Sequence, residues 1–286
     1  MTTEAVSAAI VPSRPAWHGL LWTVPFALLW GWLIWRLPAL VDGGFPAMAA
    51  RLMSYGLIAL GLWLGLENTD LTSGQRRTTW LVLMVPLTLW ATAAWTAAIN
   101  GMFRTGATPL PMLPAAVLLP VIVGTPLLLL SKRVGQVLDA MPPTWLVALQ
   151  FYRVLGVQWL SGWLRGVQPG IWALPAGTGD VLTGIFAVSA AIAVATGTAQ
   201  GRRTAIFWNV FGLADFAIAI PLGMITSPGL FQLIVPSPSI VVDAFPNVLT
   251  PAFVVPSSIL LHVLSIRQLL RRGRAEAARR QPPAAH

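Results

Sequence analysis

The chain contains no cysteine, a single lysine and few charged residues of either sign. Without cysteine it cannot form a disulfide, an iron–sulfur cluster or a thiolate-bound metal site. The single lysine, Lys132, lies in a charged connector between apolar stretches. A retinal Schiff base requires a lysine in mid-membrane, so the position of Lys132 argues against a rhodopsin.

The low charge predicts the class of protein. Only 9% of the 286 residues are charged, whereas an average soluble domain has about 25%. Hydrophobic residues make up 56% of the chain and the mean hydropathy is +0.73. Such a chain has too little polar surface for water, so we expect an integral membrane protein whose main partner is the lipid bilayer.

The formal charge of +9 does not indicate a nucleic-acid partner. The basic residues form small groups between apolar stretches, whereas a nucleic-acid binder gathers them into one patch or stripe. We therefore expect no nucleic acid among the partners.

Apolar stretches of about 20 residues predict transmembrane helices. Eight such stretches predict an all-α polytopic bundle: 19–40, 47–66, 79–99, 109–130, 145–164, 177–197, 204–226 and 246–268. The first has no small-residue cleavage site after it and is expected to be a retained anchor. Two further stretches, 170–179 and 229–242, contain Gly or Pro breaks and are expected to be external loops or re-entrant segments.

The basic residues predict the orientation of the chain. Thirteen of the eighteen lie in the N-terminal tail, in the second, fourth and sixth connectors, or near the C-terminus: Arg14, Arg76, Arg77, Lys132, Arg133, Arg202, Arg203, Arg267, Arg271, Arg272, Arg274, Arg279 and Arg280. With eight spans, all of them fall on one side, which the positive-inside rule assigns to the cytoplasm. Both termini are then cytoplasmic.

The predicted organisation has four parts. A cytoplasmic tail (1–18) precedes a first four-helix half (19–143), a second four-helix half with a polar interior (144–270) and a basic cytoplasmic tail (271–286). Short matches recur in order in the two halves, such as Arg-Arg-Thr at 76–78 and at 202–204. They indicate a four-plus-four repeat, parallel because each half has an even number of spans. Chance matches in this composition remain the alternative.

Charged residues inside a membrane usually face the interior of the bundle because lipid exposure costs about 2.5–3.5 kcal/mol. Arg153 on the fifth span and Asp215 on the seventh both lie near mid-membrane. We expect them to form an ion pair. The pair is either part of a functional site or a structural bridge that fixes helix register.

Three more polar residues lie at other depths on the same and neighbouring spans. Together with this pair they form a series of polar side chains across the membrane, contributed by four helices. His262 and Asn209 lie at similar depth in the inner half, where a buried imidazole bonded to Asn209 or a serine is favoured over a ligand-binding group. Asp180 lies near the start of the sixth span, where it would cap the helix N-terminus. On this reading it is about 10 Å in depth from Asp215. One intramembrane histidine and no acidic cluster indicate no metal site.

Residues 177–180 spell G-x-G-D, the pattern of intramembrane aspartyl proteases such as presenilins and prepilin peptidases. Those enzymes need two aspartates at one depth that share a proton. Asp215 is the only candidate partner for Asp180, and the two occur in the reverse of the family's order. No Tyr-Asp or Pro-Ala-Leu companion stands where those proteases have it, so the motif is a weak indication.

The second half resembles a known group of proteins. The motifs are LPAGTGD at 174–180, WNVFGLAD at 208–215 and TSPGLFQ at 226–232, followed by a proline-rich last helix with His262. Together they resemble an uncharacterised family of bacterial polytopic inner-membrane proteins over about residues 150–270. The resemblance implies a multi-pass protein of the bacterial cytoplasmic membrane and brings no activity or cofactor.

These observations predict a polar intramembrane site in the last four spans. The candidate residues are Arg153, Asp180, Asn209, Asp215 and His262. We expect this site to bind or transport a small ligand, ion or proton, with no residue assigned a catalytic role. The alternatives are a membrane-embedded enzyme that acts on a lipid-like substrate, and a subunit or assembly factor of a membrane complex.

Overall fold

The computed structural model describes residues 15–240 and 242–280, which form helices and connecting segments without any β-strand. Most of the predicted N-terminal tail, including Arg14, and the last six residues of the basic tail lie outside this range. The α-helices are α1 (Leu20–Arg36), α2 (Pro38–Asp42), α3 (Phe45–Glu67), α4 (Ser73–Ile99), α5 (Met112–Leu130), α6 (Lys132–Ala140), α7 (Pro143–Leu149), α8 (Val157–Leu164), α9 (Gly170–Ala195), α10 (Ala199–Thr226) and α11 (Val255–Arg280).

Seven helices in the described part of the chain are long enough and apolar enough to cross a membrane. They are Ala16–Arg36, Phe45–Glu67, Ser73–Ile99, Met112–Leu130, Gly170–Ala195, Ala199–Thr226 and Thr250–Arg279. The first and last include a 3₁₀ turn, Ala16–Gly19, and a π-helical turn, Thr250–Val254. The expected span at 145–164 is absent from this set, because α7 and α8 are joined there by a 3₁₀ segment, Gln150–Gly156.

Tertiary contacts hold the 3₁₀ segment in place. Gln150 Nε2 donates to the backbone oxygen of Ser258 at 3.1 Å, and the Tyr152 hydroxyl is hydrogen-bonded to Ser258 Oγ. Gly184 of α9 lies directly against the backbone of Val154. A 3₁₀ stretch of seven residues is longer than the usual three or four, and such a stretch within a helix often marks a functional position.

Helix α9 packs against α1, α7, α8, α10 and the 3₁₀ segment, so it is the central element of the bundle. It begins at Gly170, directly after Pro169, and continues through Pro175. The expectation of a loop or re-entrant segment at 170–179 is therefore wrong. A membrane helix tolerates an internal proline when its neighbours compensate for the lost hydrogen bond. Glycines 177 and 179 serve close packing, against Leu160 and Asp215 respectively.

Three connectors and the C-terminal segment meet at one end of the bundle, the basic end. Arg202 forms an ion pair with Glu276 at 2.5 Å, and Arg271 forms one with Asp139. Leu71 joins the same end by packing in one apolar cluster with α6. The second, fourth and sixth connectors thus lie together, as the distribution of basic residues predicts.

Two long loops, 100–111 and the described residues of 227–249, lie together at the opposite end. Thr105 Oγ1 donates to the backbone oxygen of Pro228 at 3.0 Å, and the Thr105 amide donates to the Asp243 carboxylate at 3.4 Å. The described part of 229–242 is irregular, not helical. Ile240 and Val242 are buried in one apolar cluster with Trp159 and Trp172, so this loop covers the interior of the second half.

Candidate functional site

The five residues proposed from the sequence meet in one buried cluster. Arg153 comes from the 3₁₀ segment, Asp180 from α9, Asp215 and Asn209 from α10, and His262 from α11. Arg153, Asn209 and His262 are at most 3% exposed. Four segments that are distant in sequence therefore contribute to a single hydrogen-bonded network.

Arg153 binds both carboxylates. Its Nε donates to Asp180 Oδ1 at 2.8 Å, and its Nη2 forms an ion pair with Asp215 Oδ2. The guanidinium also lies over the ring of Phe216, with 4.1 Å from Cζ to the ring centroid, which adds a cation–π contact. The predicted Arg153–Asp215 pair is confirmed.

The predicted position of Asp180 is wrong. It lies ten residues inside α9, not at the helix N-terminus, because the helix begins at Gly170. Its carboxylate shares one guanidinium with Asp215, so the two groups are not separated by the expected depth of about 10 Å. Asp180 is thus a member of the ion cluster and not a helix cap.

A chain of hydrogen bonds runs from Arg153 toward the basic end. Arg153 Nη1 lies 3.1 Å from His262 Nε2, and His262 Nδ1 lies 2.9 Å from Asn209 Oδ1. Asn209 Nδ2 then donates to Ser265 Oγ at 3.1 Å. Because a guanidinium only donates, Nε2 of His262 must accept, and the proton of a neutral imidazole lies on Nδ1. The predicted bond between His262 and Asn209 is confirmed.

Glycines allow the helices of the site to approach closely. A Cβ added at Gly179 would collide with the Asp215 carboxylate, and one at Gly212 would lie 2.6 Å from the His262 ring. A Cβ at Gly156 would lie 2.5 Å from Cβ of Asp180. In the G-x-G-D sequence the second glycine therefore makes room for Asp215 while the aspartate binds Arg153. Close packing at Gly179 and the ion pair of Asp180 account for the motif, so the motif does not require a protease.

A cavity of about 320 Å³ ends on this cluster. Its floor includes Asp180, Asp215 and Phe216, and Trp159 and Trp172 form part of the wall. Residues 102–114 and 227–231, from the two long loops and the start of α5, line it at the end opposite the basic end. Its volume falls at the lower end of the range of small-molecule pockets, about 300–1,000 Å³.

Comparison with protein families gives one match. A family model described as "Domain of unknown function (DUF8737)" matches residues 127–270, half of the chain. The chain belongs to the DUF8737 family. No curated protein and no solved structure matches it. The DUF8737 region contains all five cluster residues and the walls from Trp159 and Trp172, whereas residues 102–114 of the cavity lie before it.

The DUF8737 region closes the cavity toward the basic end. Below Arg153, the residues His262, Asn209, Ser265 and Gln268 are completely buried. Gln268 Nε2 donates to the backbone oxygens of Leu138 and Met141 at 2.5 and 2.8 Å, which ties α11 to α6. The cluster can therefore be reached through the cavity but not from the basic end.

The ion pairs and hydrogen bonds of the cluster limit the reactions that the DUF8737 site could catalyse. An aspartyl dyad needs two carboxyl groups that share a proton and activate water, but here Arg153 bridges the two. Both ring nitrogens of His262 are already engaged, so neither is available to a substrate. Among the described residues, no group of three or more His, Asp or Glu side chains could hold a metal ion.

Several residues of the site were not identified from the sequence. Phe216 stacks on Arg153, and Asp243 and Trp172 line the cavity. Aromatic residues are common throughout this chain, so no sequence signal singles these out. Gly179 and Gly212, in contrast, could have been identified from the sequence, because each lies within three residues of a polar site residue.

Proposed function

We propose that this protein is a multi-pass protein of the bacterial cytoplasmic membrane that binds and transports a small ligand through the cavity above Arg153. The observation that supports it is the cavity of about 320 Å³ that ends on Asp180 and Asp215. Charged side chains inside a membrane bundle commonly mark a substrate or ion path. The same cluster is buried on the side that faces the basic end. A site open to one side and closed to the other is one of the two states that alternating access requires.

The proposal includes eight membrane crossings with both termini in the cytoplasm. The segment from α7 through α8, residues 143–164, is helical throughout and supplies the eighth crossing, at about 1.5 Å per residue or more. This count keeps the clustered basic connectors on one side, in agreement with the positive-inside rule. The cavity then opens toward the outside. The parallel four-plus-four repeat remains part of this proposal.

An enzyme that acts on a lipid-like substrate has less support. It would use Asp180, Asp215 and His262 as acid–base groups, but both ring nitrogens of His262 are engaged by Arg153 and Asn209, and Arg153 binds one oxygen of each carboxylate. A role as a complex subunit is not favoured by any specific contact.

Thiol labelling tests the cavity, since the chain has no cysteine and hence no background reaction. Ala219 lines the cavity. Its neighbour Ile218 does not line it and is 53% exposed on the helix surface, where lipid would cover it in the proposed membrane protein. In intact cells, we expect a membrane-impermeant thiol reagent to label Ala219→Cys but not Ile218→Cys. Equal labelling of both, or of neither, would contradict a water-filled outward cavity.

A second labelling experiment separates transport from binding alone. Ser265 is completely buried below the cluster, so Ser265→Cys becomes reactive from the basic end only if the protein adopts an inward-facing state. In inside-out vesicles we expect slow labelling of Ser265→Cys. Ala187, which is also 0% exposed but lies in an apolar cluster, gives the control variant Ala187→Cys. If both remain unlabelled, the protein binds without transporting.

A further inference from the structure

The charges at the floor of the cavity do not cancel. Among the described residues, Arg153 is the only basic side chain in an ion pair with Asp180 or Asp215. His262 adds no charge, because its Nε2 accepts a hydrogen bond from the guanidinium. Two carboxylates and one cation leave one negative charge, which is costly in a buried site unless a proton or a bound cation neutralises it.

The mouth of the cavity does not supply the missing positive charge. The lining there contains one basic side chain, Arg104, and one acidic side chain, Asp243. These two charges offset each other, so the excess negative charge stays at the floor.

A small annex beside the floor has unsatisfied hydrogen-bonding groups. It has a volume of about 30 Å³, enough for one water-sized group. Its polar lining includes Asp180, Gln158 and Thr250, and the Arg153 side chain that pairs with Asp180 also borders it. Gln158 is only 3% exposed, and its Oε1 has no hydrogen-bond partner among the residues that the structure describes. The buried Oγ1 of Thr250 also lacks one. Buried polar atoms are normally satisfied, and Gln158 Oε1 can only accept, whereas the Thr250 hydroxyl can accept or donate. A group that donates hydrogen bonds would satisfy both.

Aromatic and apolar side chains surround the annex and the cavity. Trp159 and Phe216 line both spaces, and Trp172 packs edge-on against Trp159 with 4.9 Å between ring centroids. Aromatic faces attract cations and pack against apolar groups. The site thus has a floor with a net negative charge and hydrogen-bond acceptors. Next to it lies a largely apolar cavity with about ten times the volume of the annex.

From these features we propose that the ligand is a small organic amine, protonated and with an apolar body. Its ammonium group donates to Asp180, Gln158 and Thr250 in the annex, and its apolar part lies against Trp159 and Trp172. The inference rests on the proposed function, because it names the ligand class of the same cavity. The single positive charge of the amine balances the single excess carboxylate.

Matched probes of one shape test this assignment. We would measure binding to the purified full-length protein in lipid nanodiscs by calorimetry and by the shift in melting temperature. The probes are phenethylamine, which is protonated at neutral pH, the neutral 2-phenylethanol and the anionic 3-phenylpropionate, with potassium chloride at equal concentration as the salt control. We expect phenethylamine to bind at least about tenfold more tightly than either analogue.

Two variants locate the bound amine. Asp180→Asn leaves the Arg153–Asp215 pair balanced and should fold, yet it removes the excess charge. It should weaken phenethylamine binding by about 10- to 100-fold with little effect on 2-phenylethanol. Gln158→Leu should reduce the preference for phenethylamine over its N-trimethyl derivative, which has no N–H to donate. Asp139→Asn, at the basic end, is the control and should leave binding unchanged.

Each contrary result has a defined meaning. If the alcohol or the acid binds as tightly as the amine, the cation assignment is wrong although the ligand cavity stands. If potassium chloride alone reproduces the stabilisation, the site takes an inorganic ion and not an amine. If no probe binds, the assignment is also wrong, and labelling of Ala219→Cys then decides separately whether the proposed function survives.

Discussion

In the part of the chain that the structure describes, Arg153 is the only cation paired with two carboxylates, so its loss should affect the cluster more than the loss of either carboxylate. Arg153→Gln leaves both carboxylates without a partner, so we expect a loss of about 3–5 kcal/mol in unfolding free energy. Asp180→Asn and Asp215→Asn each leave a balanced pair and should cost much less. Thermal unfolding of the three purified variants measures the difference.

A matched substitution controls for the loss of an arginine. Arg271 pairs with Asp139 at the basic end, where both side chains are more than 40% exposed. Exposed ion pairs contribute about 0–1 kcal/mol, so Arg271→Gln should change stability little. If Arg153→Gln is as mild as Arg271→Gln, the buried cluster is not held by charge balance.

Gly179 tests the close approach of α9 and α10. Its missing side chain makes room for the Asp215 carboxylate, so Gly179→Ala must displace that group. Overpacking of this kind costs about 1–3 kcal/mol. A Cβ added at Gly56 of α3 would meet no described atom within 4 Å beyond its own stretch of helix, so Gly56→Ala should be neutral or slightly stabilising. Melting temperatures of the two variants should therefore move in different directions or by clearly different amounts.

At the scale of single elements, the 3₁₀ segment is held to α11 by Tyr152 and Ser258. Tyr152→Phe and Ser258→Ala each remove this buried hydrogen bond, at a cost of about 1–3 kcal/mol. The double variant should cost less than the sum of the two single ones, because both remove the same contact. A double-mutant cycle of unfolding free energies gives the coupling. Strict additivity would show that the hydroxyl pair does not hold the segment.

The helices and the 3₁₀ segment also show which contacts and boundaries could be predicted from the sequence alone. Depth and the need of each buried charged or polar group for a partner were enough to predict the contact of Arg153 with Asp215 and to name Asn209 as one candidate partner of His262. The start of α9 was missed because Pro175, Gly177 and Gly179 are breakers in water, whereas inside a packed bundle they are tolerated. The 3₁₀ segment could not be predicted, since its cause is a set of contacts with residues about 100 positions away in the sequence.

At the scale of the whole molecule, the number of crossings depends on residues 143–164. If they cross the membrane, Val167, which is 52% exposed after α8, lies outside, while the exposed Gln136 of α6 lies in the cytoplasm. We expect an impermeant thiol reagent to label Val167→Cys but not Gln136→Cys in intact cells. Protection of Val167→Cys in cells together with its labelling in inside-out vesicles would instead support seven crossings.

The two halves contribute unequally to the interior. Of the most apolar stretch of the last span, 56% is buried inside the protein, against 11% for α5. The spans of the second half are therefore more deeply buried than those of the first, and much of α5 is left to face its surroundings. This asymmetry agrees with the concentration of deeply placed polar residues in the second half.

The way the cavity is built has a consequence for its selectivity. The residues that bind charge lie within 127–270, whereas much of the rim, 102–114, comes from a separate stretch earlier in the chain. For the ligand proposed above, we therefore expect recognition of charge at the floor to depend on the region 127–270, and recognition of size to depend partly on a stretch outside it. On this proposal, we expect substitutions in the rim to change which ligand shapes enter while the charges of the floor stay the same, so specificity could diversify without any change to the buried ion cluster.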